Sequence, residues 1–162
     1  MIRAPLLAAA LLTLAAPAWA QNMAQIGRAQ AGADCPGCNL FQADLANREL
    51  HGRSFAGARL RQADLSAAVM TRVSFAHADL RDLNAYGAVF TGSNFAGADL
   101  TNASLVGTFL QGADLRGARL AGANFSGAEM DRAVGLTQGQ LAGACGDEAT
   151  RLPRGLRLAP CR

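Results

Sequence analysis

Four cysteines, two histidines and a scatter of carboxylates are the residues of this 162-residue chain that could do chemistry. The tightest grouping is Cys35-Pro36-Gly37-Cys38. A C-x-x-C pair serves a thiol–disulfide oxidoreductase when a depressed pKa makes one sulfur an attacking thiolate. Such sites usually stand at a helix N-terminus in an α/β domain, and the residues around Cys35 carry no such pattern. The structural reading is a local disulfide bracing the start of whatever follows. Cys145 and Cys161 are the other two thiols, and a bridge between them would close a loop of about 15 residues, worth about 3 kcal/mol in the chain-entropy account. Four cysteines allow three pairings. The local one, Cys35 with Cys38 and Cys145 with Cys161, is preferred over the other two. A four-cysteine zinc site would need both pairs in one place.

His51 and His77 have no second His or Cys at ligand spacing, so no metal is expected. Carboxylates recur in columns, such as Asp44 and Asp64, but Asn and Ser stand at equivalent places. That marks a solvated face rather than an acid–base pair. No nucleophile–base–acid set, phosphate-cradling glycine loop or zinc-hydrolase motif is present. The expectation is a chain that is not an enzyme and needs no cofactor.

The elements that position these residues follow from one periodicity. Every position divisible by five from Leu40 to Met130 carries Leu, Phe or Met, except Ala85. Two positions earlier stands a small residue, most often Ala; between them is often Asp, Asn or Ser, and two positions later often Gly. On a helix, five residues advance about 140° net, so such centres would spiral around the surface. On one continuous strand they would alternate faces. The beat fits if each five-residue unit is one short side of a coil with a corner after it, where Gly supplies conformations that other residues resist. Phe55, Phe75 and Phe95 recur at twenty, and so do Leu40, Leu60, Leu80, Leu100 and Leu120. Four sides per turn keep like on like, whereas three would mix Phe with Leu. Burying each Leu or Phe contributes about 1.5–3 kcal/mol.

Two local departures carry expectations. In Leu83-Asn84-Ala85 large and small residues trade places, an approximate volume exchange. Arg48 and Arg53 occupy small inward positions, so they must snorkel outward or widen the first coil, and the stack should be least regular there.

The units Ala43-Asp44-Leu45, Ala63-Asp64-Leu65, Ala78-Asp79-Leu80, Ala98-Asp99-Leu100, Ala113-Asp114-Leu115 and Ala123-Asn124-Phe125 resemble those of pentapeptide-repeat proteins. The resemblance covers residues 38–132 and implies an all-β fold, a right-handed quadrilateral β-helix. Some members mimic the charge of DNA and bind topoisomerases, which needs a cytoplasmic rod of dense negative charge. Residues 38–132 hold nine Asp plus Glu against nine Arg, a net of zero, which disfavours that role.

The flanks divide the chain further. Residues 1–20 read as a signal peptide: Arg3, an apolar stretch over 4–16, then Ala18-Trp19-Ala20 as a small-x-small cleavage site. The apolar run is shorter than the ~20 residues a membrane span needs. Export to the periplasm or beyond is expected, with no integral membrane segment after cleavage. Residues 21–37 form an N-terminal lead without clear period, expected to be loose before Cys35. Residues 133–162 read as a C-terminal cap with a short helix: Thr137-Gln138-Gly139-Gln140 matches a capping box, and Leu141 and Ala144 supply its apolar stripe. Without Arg3, 14 Arg oppose 12 Asp plus Glu, too mild an excess to imply nucleic acid as a partner.

One outward column breaks the polar rule. Stacked at twenty, it reads Glu49, Val69, Val89, Phe109, Glu129, with Tyr86 and Val106 across the adjoining corner. Val69, Tyr86, Val89, Val106 and Phe109 are therefore the candidate interaction patch, for a second copy or an envelope protein.

Overall fold

The computed structural model describes residues 21–162; the signal segment expected at residues 1–20 lies outside them. Backbone pairing follows the five-residue beat. Asn39 pairs in parallel with Arg59, Asp44 with Asp64, Glu49 with Val69 and Ser54 with Ser74, and each partner pairs again twenty residues later. A coil is thus twenty residues with four pairing positions. At each position the N–H before the centre reaches back one coil and the centre's own N–H reaches forward. Val69 donates to the Arg48 carbonyl (2.8 Å) and Met70 to the Val89 carbonyl (2.7 Å).

Large centres and small residues share the interior. Leu40, Leu60, Leu80, Leu100 and Leu120 are buried in one column and Phe55, Phe75 and Phe95 in another. The rings of Phe75 and Phe95 stack at 5.1 Å, Phe55 and Phe75 at 5.7 Å, and Phe90 meets Phe95 edge-on at 5.2 Å. Leu83 and Ala85 are both buried, so the volume exchange keeps the core closed.

Corners turn through a left-handed residue two places after each centre from Leu40 to Phe125. Glycine takes it at Gly97 (φ 66°), but eight non-glycine residues hold it too, including Ala67 (φ 54°) and His77 (φ 57°). A Cβ at Gly97 would come within 2.5 Å of the His77 ring, which lies along the stack above it. At that corner the His77 ring requires glycine on the next coil, whereas Gln42, Gln62, Asp82 and Asn102 stack side chain on side chain.

The tight turn at each corner depends on the small residue that follows. Ala98 donates to the Phe95 carbonyl at 2.9 Å, but Arg48, Leu83 and Thr108 reach their carbonyls only at 3.3–3.4 Å. Arg48 and Arg53 point out to solvent, and the corner at His51-Gly52 is an open bend, so the stack is indeed irregular there. At Val73 a different solution appears. Its N–H donates to the buried Ser93 hydroxyl (3.0 Å), which donates to the Met70 carbonyl (2.6 Å), so a hydroxyl from the next coil is inserted into the turn.

The lead is not loose, which corrects the sequence expectation. Helix α1 spans Met23–Gln30, N-capped by Asn22, whose side chain accepts from Gln25 N–H at 3.1 Å. Ile26 and Ala29 are buried. Gln25 Oε1 accepts from the Asn39 N–H (2.6 Å) and Gln30 Nε2 donates to the Asp44 carbonyl (2.8 Å). Those are backbone groups that a preceding coil would otherwise pair. An eight-residue helix is marginal alone, so its stability comes from this docking rather than from any period in its sequence.

At the other end the register slips. Asp114 still pairs with Val134, but Asn124 pairs with Cys145 and Glu129 with Arg151, offsets of 21 and 22. Helix α2, Gln138–Leu141, takes up the first extra residue, with the expected capping box between Thr137 and Gln140 and Leu141 buried; the second lies between Cys145 and Arg151. Gln140 Nε2 also donates to the Leu115 and Ala118 carbonyls, at 2.8 and 3.0 Å. Beyond it, β1 (Cys145–Gly146) pairs in parallel with β2 (Ala159–Pro160).

Candidate functional site

Where the residue before a centre is Asp or Asn, it has a structural task the sequence hid. Asp64, Asp79, Asn94, Asp99, Asp114 and Asn124 each accept, through a side-chain oxygen, the N–H two residues on, at 2.8–3.4 Å. They cap the corner as well as facing water, each bond worth about 1 kcal/mol. Asp79 and Asp114 are further gripped by forked arginines: Arg81 Nε donates to Asp79 Oδ1 at 2.7 Å, and Arg116 does the same for Asp114 at 2.9 Å. The side-chain hydrogen bonds from Arg81 and Arg116 hold these two carboxyls below the usual range.

Against this background the apolar column is an exception with a cost. Val69 pairs with Val89 and Val89 with Phe109, and Glu49 and Glu129 close the column at either end. Val69, Val89 and Phe109 offer no oxygen to the corner N–H groups of Thr71, Thr91 and Gln111. Tyr86 and Val106 follow one another on successive coils, joined where Gly87 N–H donates to the Val106 carbonyl at 2.9 Å. Tyr86 is 61% and Phe109 41% exposed, and Val69, Val89 and Val106 are half-buried. All five candidate patch residues thus occupy the register positions that the twenty-residue period assigns.

The cysteines divide into the two local pairs. Cys35 bonds Cys38, and both are buried at 0% and 5% exposure. Cys35 N–H donates to the Ser54 carbonyl, so pairing between coils already begins there. Cys35 fills a large-centre slot of the five-residue beat and Cys38 a small-residue slot. The burial denies a substrate disulfide the contact an oxidoreductase requires. Cys145 bonds Cys161 at the opposite end. His51 Nδ1 lies 2.7 Å from the Thr71 hydroxyl in a side-chain ladder, and His77 overlies Gly97. Among the described residues no cluster of three or more His, Cys, Asp or Glu could hold a metal ion, and no helix is long and apolar enough to cross a membrane. A cleft of about 470 Å³, lined by Ser126, Gly146, Asp147, Glu148, Leu158, Pro160 and Cys161, lies beside the second disulfide.

Comparison with known proteins agrees with this repeat. The chain is similar to a pentapeptide-repeat protein from the Arabidopsis thaliana thylakoid lumen, at 28% identity over 57% of each chain (TM-score 0.34). The match thus spans little more than half of that relative's length. It is also similar to a pentapeptide-repeat protein, alr5209, from Nostoc PCC 7120, at 26% identity over 85% of this chain and 88% of that one (TM-score 0.39). QnrB1, a plasmid-mediated fluoroquinolone resistance protein, is similar at 18% identity over 76% and 78% of the two chains (TM-score 0.36). None of the curated proteins matches the chain. The family model described as Pentapeptide repeats matches residues 54–92 and 93–132 in eight copies.

Proposed function

We propose that this chain is an exported, non-enzymatic protein-binding scaffold. Its working part is a right-handed quadrilateral β-helix over residues 38–132, following a cleaved signal peptide (1–20) and a lead (21–37) and closed by a helical cap at 133–162. The observation that carries the reading is the apolar column of Val69, Val89 and Phe109, flanked by Tyr86 and Val106. At those positions the chain forgoes the corner-capping oxygen that Asp64, Asn84, Asn94 and Asp114 supply on the flanking columns, and it exposes an aromatic ring on each of two sides. A surface that gives up local stability to present apolar side chains is suited to a protein partner, either a second copy or an envelope protein.

The alternatives lack support of this kind. A thiol–disulfide oxidoreductase would need Cys35 or Cys38 within reach of a substrate, and both are buried. A DNA mimic would need dense negative charge, and residues 38–132 balance nine acids with nine arginines. Location outside the cytoplasm suits two disulfides, and one similar protein is described as lumenal.

The test combines light scattering after size exclusion with a pull-down from envelope extract, for the wild type and for Val89→Arg/Phe109→Asp. The wild type should either exceed monomer mass or retain a partner that the double variant loses at least tenfold, with circular dichroism unchanged. A wild type that is monomeric and captures nothing, or a variant that behaves identically, removes the patch from the reading.

A further inference from the structure

The two disulfides differ in where their sulfurs lie and in what each one holds. Cys35–Cys38 is sealed in the core beneath α1. Cys145–Cys161 is half-buried, and Cys161 lines the open cleft of about 470 Å³. Residues up to Arg151 are woven into the last coil, through the Glu129–Arg151 pairing and the Arg151 N–H bond to the Ala128 carbonyl (2.9 Å). Residues 152–162 are not. They fold back over the end and are held by few interactions other than the disulfide: the two-residue β1–β2 pairing, Cys161 N–H on the Gly146 carbonyl (3.0 Å), the Ser126 hydroxyl on Cys161 Sγ (3.4 Å) with Asn124 Oδ1 3.2 Å from the same sulfur, and a reciprocal pair of bonds between Gln138 and the Arg157 backbone (3.0 Å each). Leu152, Leu156 and Leu158 pack there only partly buried.

We propose that Cys145–Cys161 is a redox-operated clasp: a dithiol reductant entering the cleft frees residues 152–162 from the end of the stack, while Cys35–Cys38 stays oxidised and the coils stay folded. In the first step a reductant thiolate attacks Cys161 Sγ, the protein S–S bond breaks, and Cys145 leaves as a thiolate that takes up a proton. The second reductant thiol then displaces Cys161 from the mixed disulfide. The reductant ends as a cyclic disulfide and the protein as two thiols, a transfer of two electrons and two protons. The freed segment uncovers the β1 edge and the three leucines, and it carries Arg154, Arg157 and Arg162 away from the stack.

The probe is dithiothreitol, titrated against the full oxidised chain, with alkylation and mass mapping of each cysteine and brief trypsin exposure of the same samples. Cys145 and Cys161 should be alkylated at least tenfold faster than Cys35 and Cys38. Cleavage after Arg154 and Arg157 should rise at least tenfold in step, with the far-ultraviolet spectrum held. Cys145→Ser/Cys161→Ser should show that fast cleavage without reductant; should it fail to fold, the wild-type time courses decide alone. Equal reduction of the two disulfides, earlier reduction of Cys35–Cys38, or a reduced tail that still resists trypsin overturns the clasp.

Discussion

The two ends of this stack are closed by opposite means. At the N-terminal end the five-residue beat is kept: Cys35 and Cys38 sit in core slots of the repeat, and α1 lends glutamine side chains to the backbone groups a missing coil would have paired. At the C-terminal end the beat is abandoned. The pairing offset grows from 20 to 21 across α2 and to 22 in the turn between Cys145 and Arg151, and a peripheral disulfide fastens the tail. A closure inside the register shares the cooperativity of the stack, whereas one outside it can open alone.

The largest expected effect separates the two disulfides. Chain entropy alone ranks Cys145–Cys161 first, because it closes the longer loop and is worth about 3 kcal/mol. The structure reverses that order. Cys35→Ala/Cys38→Ala should lower global stability by about 2–5 kcal/mol, the usual cost of losing a native disulfide, because it also leaves a gap in the core. Removing Cys145–Cys161 should lower the unfolding free energy in urea by less than about 1 kcal/mol, since the tail opens separately from the stack. Equal losses in the two variants would make the ends equivalent.

A second effect tests whether α1 belongs to the cooperative unit. Ile26→Ala removes a 4%-exposed anchor and should cost about 2–4 kcal/mol in urea unfolding monitored by circular dichroism. Leu158→Ala, on the partly buried tail, should cost about 1 kcal/mol or less and leave the main transition unchanged. A silent Ile26→Ala would place α1 outside the stack.

The smallest effect is one of pH. Asp147 Oδ1 accepts from Gly127 N–H at 2.8 Å, from the Thr150 hydroxyl and from Ala149 N–H, and the Gly127 bond foremost holds its carboxyl below the ordinary value of about 3.9. A depressed carboxyl contributes stability that is complete above the unfolded value and is lost as pH falls through the lower folded value. Hydrogen exchange at Gly127, corrected for its intrinsic pH dependence, should therefore keep full protection from pH 7 to 5 and lose it below about pH 4. Asp147→Asn should abolish that pH step.

How much of this was legible in the sequence can be argued residue by residue. Each five-residue centre announces its own burial, because the large and small slots repeat in phase. The irregularity at Arg48 and Arg53 was readable because a charged head on a long stem does not fit so narrow a core, but only the structure chose the outward turn over a widened coil. The capping box at Thr137 was readable because its bonds are local. Ser93 was not: its hydroxyl completes a turn twenty residues away, a relation visible only once coils are stacked. Nor was the corner-capping task of Asp79 or Asn94, since a polar residue in a repeat reads equally well as a solvated surface. The same uncertainty hid what Val69, Val89 and Phe109 relinquish.

By itself the sequence determined the period, the core columns, the preferred cysteine pairing and the place where the outward polar column turns apolar. These are properties of spacing, and spacing is written along the chain. Only the tertiary structure decided that Met23–Gln30 is helical, that the C-terminal register slips by one and then two, and that one disulfide is sealed while the other borders a cleft. Each of those depends on what a segment meets when the stack ends. An eight-residue helix with two buried side chains has too little local preference to form alone, and a coil edge has no partner of its own. Both are settled by the contact between them.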